Sequence, residues 1–180
     1  MENIAKLRST CRIPVIFTLR KNTQGGYYQK SETERLRDIY TLAQLSPDWL
    51  DIESCVPDDF ASRLKSDFAK IKLIRSYHNF SHTPADLPKL LDSMQHPAFD
   101  AYKIATFANT SVDALRMLTF VAANHPLHQL TGLCMGKNGQ ITRILSQIAG
   151  NAMHYAAMDE LCTTAPGQLS LKDLLTFYKG

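Results

Sequence analysis

Short apolar runs alternate with amphipathic stretches along nearly the whole chain. Residues 15–19 (VIFTL) are an unbroken run of β-branched and aromatic side chains that ends at Arg20. Such a run predicts a strand buried on both faces. Pro14 suits its start, where no ladder donor is needed. Residues 21–26 form a turn containing Gly25-Gly26. Ser31 stands three residues before Glu34, a capping box that opens a helix to about Leu45. Residues 49–53 (WLDIE) are a short strand, and 58–70 an amphipathic helix with Phe60, Leu64 and Phe68 four apart. Residues 71–84 (IKLIRSYHNFSHTP) open as an apolar strand, turn polar at Ser76-Tyr77-His78 and break at Pro84. Thr83-Pro84 predicts the cap of a helix to about Met94, with Pro88 near its first turn. Residues 102–107 (YKIATF) are the next strand, and 109–111 cap a helix to about Ala123. A strand over 129–135, a loop over 136–139 and a helix over 140–148 follow. Residues 152–157 are a short strand, 163–168 (TTAPGQ) a loop, and 170–178 the last helix. Residues 1–9 look like the closing turns of a helix, with Ile4 and Leu7 three apart.

Strand and helix thus alternate through six predicted strands. That order argues for a parallel α/β architecture. Most strands end in polar or small residues, namely Arg20, Glu53, His78 and Gly136, while Lys103 lies inside its strand. In a barrel that edge is where substrate binds. No repeat, low-complexity tract or linker interrupts the chain, so residues 1–180 are expected to be one domain. At 180 residues it is long enough for a substantial core. Twenty Lys and Arg against 17 Asp and Glu leave a net charge of +3 with no basic block. This argues against a nucleic-acid partner and suits a mildly basic cleft for an anionic metabolite. Cys11, Cys55, Cys134 and Cys162 form no CxxC pair, and most sit among apolar residues. Buried, reduced thiols of a cytoplasmic protein are the expectation. The start MENIAKLRST has no apolar core and is no signal peptide. No apolar run approaches the roughly 18 residues of a membrane span, so no membrane partner is expected.

Two residues carry the candidate chemistry. His78 and Lys103 stand 25 residues apart (103 − 78), about the length of one βα unit. That spacing suggests adjacent parallel strands, roughly 4.8 Å apart across the sheet. A desolvated lysine is a nucleophile toward ketones. The protonated imine it forms is an electron sink that acidifies the neighbouring C–H. A nearby histidine can take that proton and later deliver one to a leaving hydroxyl. Each residue alone has a plainer reading: a lysine reaching from a strand to water, a hydrogen-bonded structural histidine. His82 would suggest a metal pair with His78, but Thr83-Pro84 makes the stretch a loop and no third ligand is well spaced, so no metal is expected. Arg20 closes a strand and Arg143 opens a helix; either can hold a carboxylate through paired N–H bonds or be a surface charge. The 136–139 loop lacks the GxxxxGK[ST] pattern. The 163–168 loop fits a mobile lid or a plain turn.

Taken in order, IFTLRKNTQGG, WLDIE, SYHNFSHTP, YKIATFANTSVDAL, MGKNGQITRILSQIAGNAM and TTAPGQLSLKDLL resemble type I 3-dehydroquinate dehydratase, the Schiff-base enzyme of the shikimate pathway. The resemblance covers nearly all of the chain. It implies a (β/α)8 TIM barrel and syn loss of water from 3-dehydroquinate, giving 3-dehydroshikimate, in aromatic amino acid biosynthesis. It implies Lys103 as the imine-forming lysine and His78 as the general acid/base, with no metal or organic cofactor. Arg143 would bind the substrate carboxylate, and Arg20 the hydroxyl or carboxylate side. Thr164, where many members have Ser, and Gln168 would close over the substrate. A homodimer and a fused or separate shikimate dehydrogenase are the partners it suggests. Three departures stand against it. The family's Glu-x-Arg on the second barrel strand has no counterpart. The first strand here corresponds to the family's third, so a partial barrel of about six βα units, from a truncated chain, is expected. Gln24 stands where many members have Glu. A class I aldolase is the neighbouring reading, opposed by the HNF-to-KIA pairing and the APGQ lid. A weakly active or inactive remnant is the other, opposed by the retained His78, Lys103, Arg143 and Gln168.

Overall fold

A computed structural model describes residues 2–159, 161 and 163–178. Its strands are β1 (Ile16–Thr18), β2 (Trp49–Glu53), β3 (Lys72–Asn79), β4 (Ala101–Phe107) and β5 (Leu130–Met135). Its helices are α1 (Glu2–Thr10), α2 (Glu32–Ala43), α3 (Asp58–Asp67), α4 (Leu87–Met94), α5 (Ser111–Asn124), α6 (Gln140–Ile144) and α7 (Leu171–Tyr178). The strands form a five-stranded sheet in chain order, and the registers of β1–β2, β2–β3 and β4–β5 are parallel. The chain divides into two compact units, Met1–Ser76 with Gln95–Asp100 and Tyr77–Met94 with Ala101–Gly180.

In the first unit, Phe17 pairs with Leu50 and Leu50 with Leu73, a row of apolar side chains across three strands. Ile39, Leu42 and Ala43 of α2 and Ala61 and Leu64 of α3 are buried with them. The capping box of α2 is formed: Glu34 N–H donates to Ser31 Oγ, and the Glu34 carboxylate accepts from Ser31. β1 departs from the expectation of burial on both faces. Only Phe17 is buried; Ile16 and Thr18, which share the opposite face by alternation, are exposed. Ile4 and Leu7 of α1, Ile16, Phe17 and Tyr28 line a groove of about 530 Å³ beside it.

In the second unit, α5 packs on β5 through Ala114, Met117, Phe120 and Val121. Gly132 permits that approach: a Cβ there would lie 2.5 Å from Val121 and 2.7 Å from the Met117 sulfur. Thr110 caps α5 in a second capping box, with Asp113. The helix expected from Thr83-Pro84 starts at Leu87 instead, where Asp86 accepts from Lys89 N–H. Thr83 is buried, hydrogen-bonded to Thr106 and the Phe107 carbonyl. α6 ends at Ile144, short of residue 148. Residues 152–157 form no strand; they are tied by the Ala152 N–H to Leu130 O, the Met153 N–H to Thr131 Oγ1, and one bridge, Ala157 to Ser170. Side-chain and single-bridge partners hold this segment where a ladder was expected. Of the cysteines, Cys134 is buried, Cys11 half-buried and Cys55 exposed at the end of β2, so burial holds for one of the three described. Cys162 lies outside the described residues.

Candidate functional site

Alternation along β4 and β5 sorts the second unit's residues into two faces. Ile104 and Thr106 pair with Gly132 and Cys134, which face α5. Lys103, Ala105 and Phe107 therefore point to the other face, beside Thr131, Leu133 and Met135. Lys103 is half-buried there. Its Nζ lies 4.0 Å from the centroid of the Tyr155 ring.

Tyr155 also meets Arg143, whose Nη1 donates to the Tyr155 carbonyl at 3.3 Å. Arg143 sits in α6 with 4% of its surface exposed. Its Nε is buried and has no hydrogen-bond partner among the described residues. Burial pushes its pKa down to about 10. A buried cation so thinly matched by protein groups has hydrogen-bonding capacity that a carboxylate can fill. The segment carrying Tyr155 is pinned on both sides, by the bonds to β5 at Ala152 and Met153 and by the Leu171 N–H on Ala157 O at 2.7 Å.

The loop over 163–168 folds against the end of β5. Gly136 N–H donates to Pro166 O at 3.0 Å. Gly136 has φ +80 and its missing Cβ would lie 2.8 Å from the Phe107 ring, so a side chain is excluded twice over. A Cβ on Gly167, at φ +74, would lie 2.6 Å from Gly136 O. Within the loop, Gln168 Oε1 accepts from the Thr164 N–H at 2.7 Å and from its hydroxyl at 3.1 Å. Thr164 is exposed and Gln168 half-buried.

His78 is half-buried near the end of β3. Its flanking side chains are engaged with each other on the alternate face, Asn79 Nδ2 donating to Tyr77 Oη at 3.1 Å. Asn79 Oδ1 then accepts from Ser81 and His82 N–H groups, ending the strand. Asn109 donates to Ser81 O and Asn138 to Asn109 O, so amide side chains stitch the carboxyl ends of β3, β4 and β5 together. His82 is exposed beside Ser81. Among the described residues no group of three His, Cys, Asp or Glu could hold a metal ion.

Arg20 belongs to the first unit. It is held by Asp51 Oδ2 at 2.8 Å and Ser76 Oγ at 2.7 Å, with Glu53 Oε1 at 3.8 Å. Glu53 in turn accepts from Lys21 N–H and pairs with Arg35 at 2.7 Å, both side chains 1% exposed. Burial opposes the Arg35 charge, but the hydrogen bond to Glu32 and the Glu53 carboxylate outweigh it and hold its pKa above the ordinary value. Sequence reasoning placed Glu53 at a strand end but missed Asp51, Ser76 and Arg35 as its neighbours around Arg20. The signal was present in WLDIE, whose alternate acids interrupt an apolar strand. It also missed Tyr155, for which an aromatic in a short apolar stretch gave no distinct signal.

Three comparisons bear on this arrangement. The profile of a family described as type I 3-dehydroquinase matches residues 1–180. The chain is 34% identical to a bifunctional 3-dehydroquinate dehydratase/shikimate dehydrogenase of Arabidopsis thaliana, over 99% of its length and 30% of that protein. It is 32% identical to a 3-dehydroquinate dehydratase of Streptococcus gordonii, over 89% of its length and 71% of the relative. The crystal structure of 3-dehydroquinate dehydratase from Geobacillus kaustophilus superposes with a TM-score of 0.85 at 25% identity, over 99% of this chain and 72% of that one. The likeness makes the parallel α/β sheet a partial (β/α) barrel.

Proposed function

The chain belongs to the type I 3-dehydroquinase family, and from that premise we propose that residues 1–180 act as one 3-dehydroquinate dehydratase domain. The observation that carries the reading is the run Lys103–Tyr155–Arg143, an amine and a buried guanidinium joined through one residue. An amine takes a ketone and a guanidinium takes a carboxylate; 3-dehydroquinate offers both. In the proposed sequence, Lys103 Nζ adds to the ketone and the adduct loses water to a protonated imine. His78 removes the proton from the adjacent carbon, and the C–H electron pair moves into an enamine. The enamine expels the neighbouring hydroxyl, which leaves as water with a proton from His78, a syn elimination. Water then hydrolyses the imine, restoring the Lys103 amine and releasing 3-dehydroshikimate. Arg143 holds the carboxylate through charge-assisted N–H bonds. Arg20 is a further substrate contact, and Thr164 and Gln168 close the loop over the bound molecule. The lysine supplies the electron sink, so the sequence of steps calls for no metal or organic cofactor.

Given 3-dehydroquinate, the chain is expected to produce the ultraviolet absorbance of a conjugated enone. Borohydride should fix an adduct at Lys103. Lys103→Ala should abolish both, and a trapped adduct at another lysine would refute the assignment. His78→Ala should still form the adduct while turnover is lost; unchanged turnover rules it out as the base. A chain that keeps the fold with little turnover is the second reading, favoured by Gln24, which stands where many members have Glu. Binding of 3-dehydroquinate without enone formation would select it. The dehydratase reading goes with a cytoplasmic location, a homodimer, and a fused or separate shikimate dehydrogenase to consume the product, as in the name of the Arabidopsis relative.

A further inference from the structure

We infer that the Tyr155 ring is the seat of the positive charge at Lys103 Nζ, and that its face stabilises the protonated imine. The inference rests on the dehydratase reading and goes beyond it, because it gives a role to a residue outside the acid–base pair and the carboxylate clamp. The geometry is direct: Nζ stands 4.0 Å from the ring centroid, inside the distance at which an aromatic face attracts a cation. The ring is fixed rather than adventitious. Its backbone carbonyl accepts from Arg143 Nη1, its hydroxyl donates to Met153 Sδ at 3.7 Å, and the segment is pinned to β5 and to the start of α7. The protonated imine keeps its charge at Nζ but has one N–H where the ammonium has three to be solvated, so the ring face weighs more on the imine than on the ammonium. Favouring the protonated imine favours the electron sink, since the neutral imine withdraws electrons poorly. The carbonyl of the same residue sets Arg143. Tyr155 therefore fixes the spacing between the point where the ketone is captured and the point where the carboxylate is held, and it is a positioning residue for Arg143.

Replacing Tyr155 by Phe and then by mono-, di- and trifluorinated phenylalanines keeps the shape while draining the ring face of negative potential. Borohydride trapping of the 3-dehydroquinate adduct at Lys103 reads the protonated imine. Tyr155→Phe should trap like the unaltered chain. The fluorinated series should fall stepwise, by between about twofold and about thirtyfold in all. A purely packing role predicts a flat series, and a flat series overturns the inference. A second readout needs no substrate. Reductive methylation with carbon-13 formaldehyde places methyl groups on Nζ, and a resonance assigned through Lys103→Arg should lie upfield from the ring current. Tyr155→Leu should return it to the ordinary position; a resonance that stays put overturns the inference. If the unaltered chain shows the upfield resonance but traps no 3-dehydroquinate, the dehydratase reading falls and the stabilised imine with it.

Discussion

Arg143 holds a charge in the interior at a cost that its protein partners do not offset. Its Nε is unmatched among the described residues and its pKa is lowered to about 10 by burial. Arg143→Met should therefore leave ligand-free stability unchanged or raise it by about 1 kcal/mol, measured as the urea midpoint. The same variant should raise KM by roughly tenfold or more, with a smaller effect on kcat. A loss of several kcal/mol without ligand would mean that the guanidinium serves the fold. The motif ITR marked Arg143 in the sequence, as KIA marked Lys103. Its burial was not legible, because a five-residue helix gives too little periodicity to say which face is covered. Tyr155 was illegible for a related reason. Its place is set by single bonds to groups outside the segment, the Met153 N–H to Thr131 Oγ1 and Arg143 Nη1 to the Tyr155 carbonyl.

Elements show where local pattern suffices and where it does not. The capping box of α2 and the strand WLDIE came out at the predicted residues, since both depend on near neighbours. The strand expected over 152–157 did not form, because a strand needs a partner at full length and this segment has one bridge. Glu53 of β2 and Arg35 of α2 are a buried pair at 2.7 Å. Glu53→Gln leaves the Arg35 charge poorly balanced, and should lower stability by about 3–5 kcal/mol in urea unfolding. Glu53→Leu with Arg35→Met should recover much of that loss. Gly132→Ala should cost about 1–3 kcal/mol by pushing α5 away from β5, and a neutral result would show that Val121 and Met117 can shift aside. At the start of α2, the hydrogen bond from Arg35 lowers the pKa of Glu32, and those from Ser31 lower that of Glu34. Their folded pKa values lie below the unfolded ones, so their contribution is present above the ordinary value of 4.5 and is lost as pH falls through the folded values. Thermal midpoints should decline below about pH 4.5, and less steeply in Glu34→Gln.

At the scale of the whole molecule, ligand and stability are linked. If a carboxylate binds Arg143 as proposed, it relieves the burden of the buried charge, and 3-dehydroquinate should raise the thermal midpoint of the native chain and not of Arg143→Met. The parallel βα order was legible because it rests on alternation, which survives errors at single boundaries. The exposure of β1 was not, since nothing within VIFTL tells whether one of its faces is covered or both. That exposure has a consequence in concentrated solution. Ile16 holds an apolar side chain in the open next to a greasy trough, and such a patch invites another apolar surface to settle on it. Light scattering should therefore climb with dose, and a lysine in place of Ile16 should hold it level.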